Sequence, residues 1–346
     1  MTQPDNDQLN STQSSDKGVV FSGMRPTGLL HLGNYIGALQ NWVALQQDYD
    51  CIYCAVDIHA LTTVESPEDT QSIKPNIEDM VLDWLAAGVD PEKSIVFVQS
   101  HVPEVMSLHT LLSMVTPLGW LTRVPTFKDK VRQMHETEGT VNYGLVGYPV
   151  LQTADIILYK ADTVPVGQDQ VPHIELSREI VRRFNTMFGE TFPEPQAKLT
   201  EAPLLLGLDG KNKMSKTLDN HLDLAATPEE TTKRVLTAFT DPERVRRDIP
   251  GRPEVCNIYS LHKIFSGAEA ASTVYTECTT AQRGCVDCKR HIADSINDYL
   301  KDLRERRREF KARPGYVQEI LHEGGKKAKA IAVETLAEVY EKMGLG

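Results

Sequence analysis

Long apolar runs are missing from this chain. Nothing approaches the ~20 residues needed to cross a bilayer, so no membrane partner is expected. The N-terminus also lacks the apolar core of a secretory signal, which points to a cytoplasmic protein. Positive charge is in short supply: 37 Lys and Arg stand against 48 Asp and Glu, a net charge of −11. That balance argues against general affinity for polyanions such as DNA, yet leaves room for a local basic patch. Cysteine is sparse, six in 346 residues, and in a cytosolic chain disulfides are not expected. The glycine-rich stretch at 21–39 has neither GxGxxG nor GxxxxGK[ST] spacing, so the dinucleotide and P-loop fingerprints do not apply. No internal repeat or low-complexity segment follows residue 17.

What is present is ordinary for a globular protein: 40% hydrophobic and 25% charged residues. The length suffices for two domains, each with its own core. Residues 1–17 are polar and rich in Ser, Gln, Asn and Asp, and read as a disordered tail. The stretch 21–39, FSGMRPTGLLHLGNYIGAL, follows a short apolar run and passes through a Gly/Pro turn into an apolar-periodic segment. A strand, a tight loop and a helix start are expected, with His31, Gly33 and Asn34 in the first helical turns. Free N–H groups at such a helix start make a site for phosphate, although Gly-rich turns after strands are common in any α/β protein.

From residue 19 to about 170, short apolar strands alternate with amphipathic helices. CIYCAVDI (51–58) and SIVFVQ (94–99) are continuous apolar runs, as expected of parallel strands buried on both faces. Between them 67–88 has helical periodicity and stops at Gly88. The expected fold is a doubly wound parallel-sheet, Rossmann-like α/β domain, with ligands at the carboxyl ends of its strands. Asp57 and His59 lie at such an end, as site residues or merely as strand terminators. Cys51 and Cys54 fall on opposite faces of a strand and read as buried free thiols.

The stretch 141–159, VNYGLVGYPVLQTADIILY, reads as a helix from Tyr148–Pro149 that is apolar nearly all round, interrupted by Asp155. A lone carboxylate there costs several kcal/mol unless partnered. VPVGQDQ (164–170) reads as a strand ending in Gly167, Gln168, Asp169 and Gln170, followed by a helix over 173–184. Polar groups crowded beside a buried carboxylate suggest a pocket for a small ligand with a polar tip. KNKMSKT (211–217) places three lysines in a loop poised to close over an anion, or merely to solubilise the surface. Helices dominate from residue 222: 227–239, 258–265, 288–313 and 316–343. The run at 301–313 carries Lys301, Arg304, Arg306, Arg307, Arg308, Lys311 and Arg313 against Asp302, Glu305 and Glu309, and by itself reads as a solvated helix face.

His31-Leu32-Gly33-Asn34 and Lys213-Met214-Ser215-Lys216-Thr217 stand in the order of the HIGH and KMSKS signatures, and resemble those of class I aminoacyl-tRNA synthetases. FSGMRPTG, GYPVLQTADIILY and VPVGQDQVPHIELSREI narrow the resemblance to the bacterial tryptophanyl-tRNA synthetases, from residue 19 to the C-terminus. Arg25 stands where many members have Gln, and Thr217 replaces the last Ser of KMSKS.

The resemblance implies a ligase that activates L-tryptophan with ATP and Mg²⁺ and transfers it to the 3′ end of tRNA(Trp). Its catalytic groups would be His31, Lys213 and Lys216. ATP would meet Arg25, Pro26, Thr27, His31, Gly33, Asn34, Gly167, Gln168, Asp169, Leu205 and the signature residues Lys213, Met214, Ser215, Lys216 and Thr217. Tryptophan would meet Phe21, Tyr148, Asp155, which accepts the indole N–H, and Gln170. A tyrosine-specific relative and a non-catalytic paralogue that senses tryptophan or RNA are the alternatives. The implied organisation is a catalytic domain over 18–207, a KMSKS-type loop over 208–220 and an all-helical tRNA anticodon-binding domain over 221–346, in a homodimer. The basic run at 301–313 would contribute to tRNA binding.

Cys256, Cys278, Cys285 and Cys288 follow the spacing C-x21-C-x6-C-x2-C within 33 residues, which favours metal or cluster binding over disulfides. Spacing alone slightly favours zinc, although zinc commonly takes two CxxC pairs and only one is here. The resemblance turns the expectation toward a [4Fe–4S] cluster, because a subset of these bacterial enzymes carries almost this spacing.

Overall fold

The computed structural model describes residues 17–63, 66–133, 141–200 and 204–346, so the expected disordered tail, apart from Lys17, lies outside the described residues. Three apolar runs become the strands β1 (Val19–Met24), β2 (Asp50–Ala55) and β3 (Ser94–Val98); β4 (Thr163–Val166) and β5 (Gln196–Leu199) complete a sheet ordered β3-β2-β1-β4-β5. Every pairing is parallel, with Val20 opposite Cys51 and Cys51 opposite Ser94. Alternation along each strand then sorts the side chains between faces. Val20, Tyr53 and Val96 enter one apolar core, and Phe21, Ile52, Cys54 and Phe97 enter the other. The chain crosses to β2 on one side of β1 and to β4 on the other, which opens a crevice at the carboxyl end of β1.

The Pro67–Ala87 helix starts and stops where the sequence says it should. Ser66 and Asp69 cap its first turn reciprocally (3.3 and 2.9 Å), and Gly88 closes it. The loop after β1 leads into an α turn at Leu32–Asn34, but a π segment at Tyr35–Leu39 follows before α geometry resumes at Gln40–Leu45. Tyr143–Ile157 begins earlier than the Tyr148–Pro149 start expected from proline: Pro149 lies inside the helix, which continues through it without the N–H that would bond the Leu145 carbonyl. Val171–Phe188 likewise extends the expected helix at both ends.

Four long helices follow residue 256: Asn257–Phe265, Gly267–Thr279, Cys285–Lys311 and Tyr316–Lys342. Gly267–Thr279 was not expected; it buries only Ala271 and Val274, too few apolar residues to print a period. Apolar contacts run across the expected boundary at 208–220. Ile292, Ile296 and Leu300 share a core with β1 and β2, and Ala328, Ala332 and Leu336 share the other. Gly324 makes the last approach possible, since a Cβ there would sit 1.9 Å from the Val96 carbonyl oxygen. No described helix is long and apolar enough to cross a membrane.

The basic run at 301–313 divides between these contacts and solvent. Arg307, 7% exposed, donates to Asp83 Oδ1 (2.6 Å) and Asp79 Oδ1 (2.7 Å) on the Pro67–Ala87 helix. Arg306 Nε reaches the Ala86 carbonyl at 2.7 Å, and Arg304 holds Leu224, Asn297 and Thr231. Lys301 and Arg308 remain exposed. Burial pushes the Asp83 carboxyl up to about 6 despite the adjoining guanidinium.

Candidate active site

The end of β1 feeds the turn 25–30, whose geometry is fixed from behind by a returning segment. Leu224 N–H donates to Leu30 O (2.9 Å) and Leu32 N–H to Leu222 O (2.8 Å). His31 then caps the Leu32–Asn34 turn, its own N–H donating to Asn34 Oδ1 at 3.0 Å. Burial, and after it the positive field of Lys216, His221 and Lys213, holds His31 down to about 4. The imidazole is therefore neutral at pH 7, able to donate from one ring nitrogen and accept at the other.

The two lysine-bearing and histidine-bearing motifs, far apart in sequence, meet in space. Lys216 Nζ donates to Thr27 O at 2.9 Å. Met214 is buried, and a Cβ on Gly33 would lie 3.3 Å from its Cβ. Met214 N–H also donates to the carbonyl of buried Leu205 (3.0 Å). Ser215 is half-buried, its N–H on Asn220 Oδ1, while Lys213 and Thr217 are exposed. Pro26 is buried beneath the turn; Arg25 and Thr27 face solvent.

A cleft of about 450 Å³ opens beside this junction. Phe21, Arg25, Tyr148, Asp155, Gly167 and Gln170 all line it, so one space collects residues from four elements. Phe21 stacks on Tyr159 with centroids 5.6 Å apart, and the Tyr148 hydroxyl and His173 Nε2 are 3.2 Å apart. Gln168 and Asp169 stand on the 3₁₀ turn at Gln168–Gln170 that borders the cleft, where Asp169 Oδ2 accepts from Gln170 Nε2 (3.1 Å). Gly37, where the sequence allows close approach to the helix, also lines it, as do Ala38 and Asn41, which sequence reasoning missed. Gly37 and Ala38 belong to the π segment, a distortion that frequently marks functional sites.

Asp155 is 3% exposed and has the partners its burial demands. His59 Nε2 lies 2.9 Å from Oδ2, and Gln99 Nε2 donates to Oδ1 (2.8 Å) and Oδ2 (2.9 Å). Gln99 is held in turn, its Oε1 accepting the Ile58 and His59 N–H groups. His59 is thus a site residue, whereas Asp57 tethers the chain, accepting from Ile58 N–H and Ser100 N–H at 3.0 Å each. Gln99 was missed as well; its only signal was a polar side chain closing an apolar strand. A carboxylate offers about four acceptor positions, so three bonds leave room for one more donor from the cleft.

The four C-terminal cysteines are all free and line one cavity of about 20 Å³ with Arg244 and Arg283. Arg244 Nη1 lies 3.5 Å from Cys278 Sγ, and His262 Nε2 lies 3.4 Å from Cys288 Sγ. Burial raises both thiols, that of Cys288 to about 12, with the neighbouring thiols adding to the effect. Among the described residues no three His, Cys, Asp or Glu groups converge tightly enough to hold a single metal ion.

A sequence profile described as class I tRNA synthetases (W and Y) matches residues 13–301. A tryptophan–tRNA ligase of Thermotoga maritima is 45% identical over 328 residues, covering 94% of this chain and 99% of its own. A tryptophanyl-tRNA synthetase from Campylobacter jejuni, solved with ADP and tryptophan, matches with a TM-score of 0.84 at 34% identity, over 94% of this chain and all of that one. A tyrosyl-tRNA synthetase from Archaeoglobus fulgidus, at 20% identity and a TM-score of 0.62 over 85% of this chain and 91% of its own, shares the fold.

Proposed function

This chain belongs to the class I tRNA synthetases of the tryptophan and tyrosine family, and from that membership we propose that it activates L-tryptophan with ATP and transfers it to the 3′ end of tRNA(Trp). The observation that carries the choice of amino acid is Asp155. A buried carboxylate with one acceptor position left suits a single indole N–H, and a ligand lacking that N–H would leave it unmatched. In this reading the tryptophan carboxylate attacks the α-phosphate of ATP. The α-phosphate–oxygen bond to pyrophosphate breaks, and the electron pair leaves with the pyrophosphate. The tRNA ribose hydroxyl then displaces AMP from the adenylate.

Such a reaction asks for positioning and charge neutralisation more than for a protein nucleophile. Lys213 and Lys216 supply fixed positive charge to the leaving pyrophosphate, shared with Mg²⁺. Neutral His31, with Gly33 and Asn34, lines the nucleotide beside Arg25, Pro26 and Thr27. Gly167, Gln168 and Asp169 take the ribose and adenine side, with Leu205, Met214, Ser215 and Thr217 framing it. Phe21 packs on the indole, and Tyr148 and Gln170 hold the amino group.

Cys256, Cys278, Cys285 and Cys288 would hold a [4Fe–4S] cluster. Four thiols outside any disulfide, gathered around one cavity, supply the ligand set such a cluster takes, and the resemblance in their spacing favours it over zinc. The cluster would brace the helical part over 221–346 near the docking site of the tRNA anticodon, without redox work. Assembly as a homodimer is carried over from the family resemblance, and Met114, Leu118 and Tyr143, exposed on three neighbouring helices, are candidate contacts. The cytoplasm is the place where such a reaction is needed. ATP–pyrophosphate exchange tests the reading: tryptophan should drive it and tyrosine should not. Exchange driven by tyrosine would overturn the assignment of Asp155.

A further inference from the structure

The 213–217 loop that carries the signature lysines is held by one buried amide. Asn220 is 3% exposed. Its Oδ1 accepts the Ser215 N–H at 2.7 Å, while its Nδ2 donates to Lys213 O (3.3 Å) and to Asp209 Oδ2 (3.0 Å). The side chain therefore binds the backbone on both sides of Met214, between the two lysines. Its own carbonyl accepts Leu208 N–H at 2.7 Å, which ties the loop to the opposite rim. Asp209 is itself organised by Lys211 N–H (3.0 Å) and by Asn212 N–H (3.2 Å) and Nδ2 (2.9 Å). Gly207 passes over the amide so closely that a Cβ there would lie 2.1 Å from Asn220 Cγ.

The chain around Asn220 is fixed from outside too. Asp219 adopts the left-handed conformation, φ 46°, a strained one for a residue with a side chain. Arg234 supports it: Nη2 donates to Asp219 O (2.6 Å), Asp219 Oδ1 (2.9 Å) and His221 O (3.3 Å). Asn220 is thus the meeting point of the loop, the 207–212 turn and the segment returning to His31.

We propose that Asn220 is a positioning residue for phosphoryl transfer, acting through the backbone at Lys213 and Ser215 to aim the lysines at the leaving pyrophosphate; the role rests on the synthetase reading above. Only an amide meets the requirement at this reach, one acceptor toward Ser215 and two donors toward Lys213 and Asp209. Asp would lose both donors and face the carboxylate of Asp209; Ala would leave Ser215 N–H and Lys213 O without their partner. Charge aimed at a transition state is sensitive to such shifts: a misplacement of about 1 Å can cost about 10²-fold in rate. Tryptophan binds in the cleft lined by Tyr148, Asp155 and Gln170, none of which Asn220 touches, so its affinity should be spared.

The test is tryptophan-dependent ATP–pyrophosphate exchange by the full-length protein, wild type and Asn220→Ala, with a cycle through Lys213→Ala. Expected is a loss of about 10²-fold in kcat with the tryptophan KM held within about twofold. Asn220→Ala added to Lys213→Ala should cost clearly less than the product of the two single losses, because both act in part through the Lys213 ammonium. A kcat for Asn220→Ala within about threefold of wild type, or losses that multiply in the double variant, would overturn the proposal while leaving the synthetase reading intact. Wild-type protein without exchange would overturn that reading and the role with it. Should Asn220→Ala fail to fold by circular dichroism, the near-isosteric Asn220→Asp decides by the same criteria: a split between kcat and KM supports the role, and wild-type kcat ends it.

Discussion

His59 Nε2 sits 2.9 Å from Asp155 Oδ2, and Gln99 completes the carboxylate from the other side at 2.8 and 2.9 Å. A charge that would be costly in an apolar helix is thereby satisfied and aimed at the cleft. Asp155→Ala should weaken tryptophan binding by about 1.5–3 kcal/mol, roughly a ten- to hundred-fold rise in KM, through loss of a charge-assisted hydrogen bond. Steady-state exchange kinetics check this. An unchanged tryptophan KM in the folded variant would discard Asp155 as the indole acceptor.

Lys213→Ala and Lys216→Ala should each slow adenylate formation by about 10²-fold or more while leaving tryptophan affinity nearly intact. Charge that counts mainly in the transition state appears in kcat, not in KM. Rapid-quench measurement of the first turnover separates the steps, and rates equal to wild type would contradict the assignment. Lys216 should show the larger effect on ATP binding too, since it also contacts Thr27 O (2.9 Å).

Arg307→Ala should destabilise the fold by about 3–5 kcal/mol, since it strands the buried Asp83 carboxylate. The cost should depend on pH, with a definite sign. Burial raises Asp83 from 3.8 to about 6, so its contribution to stability is fully present below about 3.8 and is lost as pH rises through about 6. Without Arg307 the carboxyl rises further and stays protonated at pH 5, where little charge is stranded. Urea unfolding should therefore show a larger deficit at pH 7.5 than at pH 5. An equal deficit at both would show that lost packing, not stranded charge, is the cause.

Anaerobically purified protein should be brown, with a broad visible absorbance that dithionite bleaches. Cys285→Ala should abolish the colour and lower thermal stability. Colourless protein with one zinc and no acid-labile sulfide would establish zinc instead.

The strands β1 to β4 were legible from short apolar runs, unbroken at 51–58 and 94–99 where both faces are buried; β5 was not, since Gln196–Leu199 is largely exposed and leaves no such run. The Pro67–Ala87 helix announced itself through Ser66, Asp69 and Gly88. The π segment at Tyr35–Leu39 left no such trace, since its hydrogen-bond shift alters no pattern of apolar residues. At the site, burial and charge made Asp155 visible as a carboxylate in need of partners. The partners were not, because His59 and Gln99 lie 96 and 56 residues away and only the fold brings them near. The basic run at 301–313 shows the converse. By itself it read as a solvated helix face, yet Arg306 and Arg307 face inward onto the Pro67–Ala87 helix, which a count of charges cannot reveal.

Charging of tRNA decides most. Incubated with ATP, Mg²⁺, labelled amino acid and bacterial tRNA(Trp), the protein should attach tryptophan to the tRNA 3′ end and leave tyrosine in solution. Formation of tyrosyl-tRNA, or tryptophan binding with no ATP-dependent transfer, would contradict the proposed function.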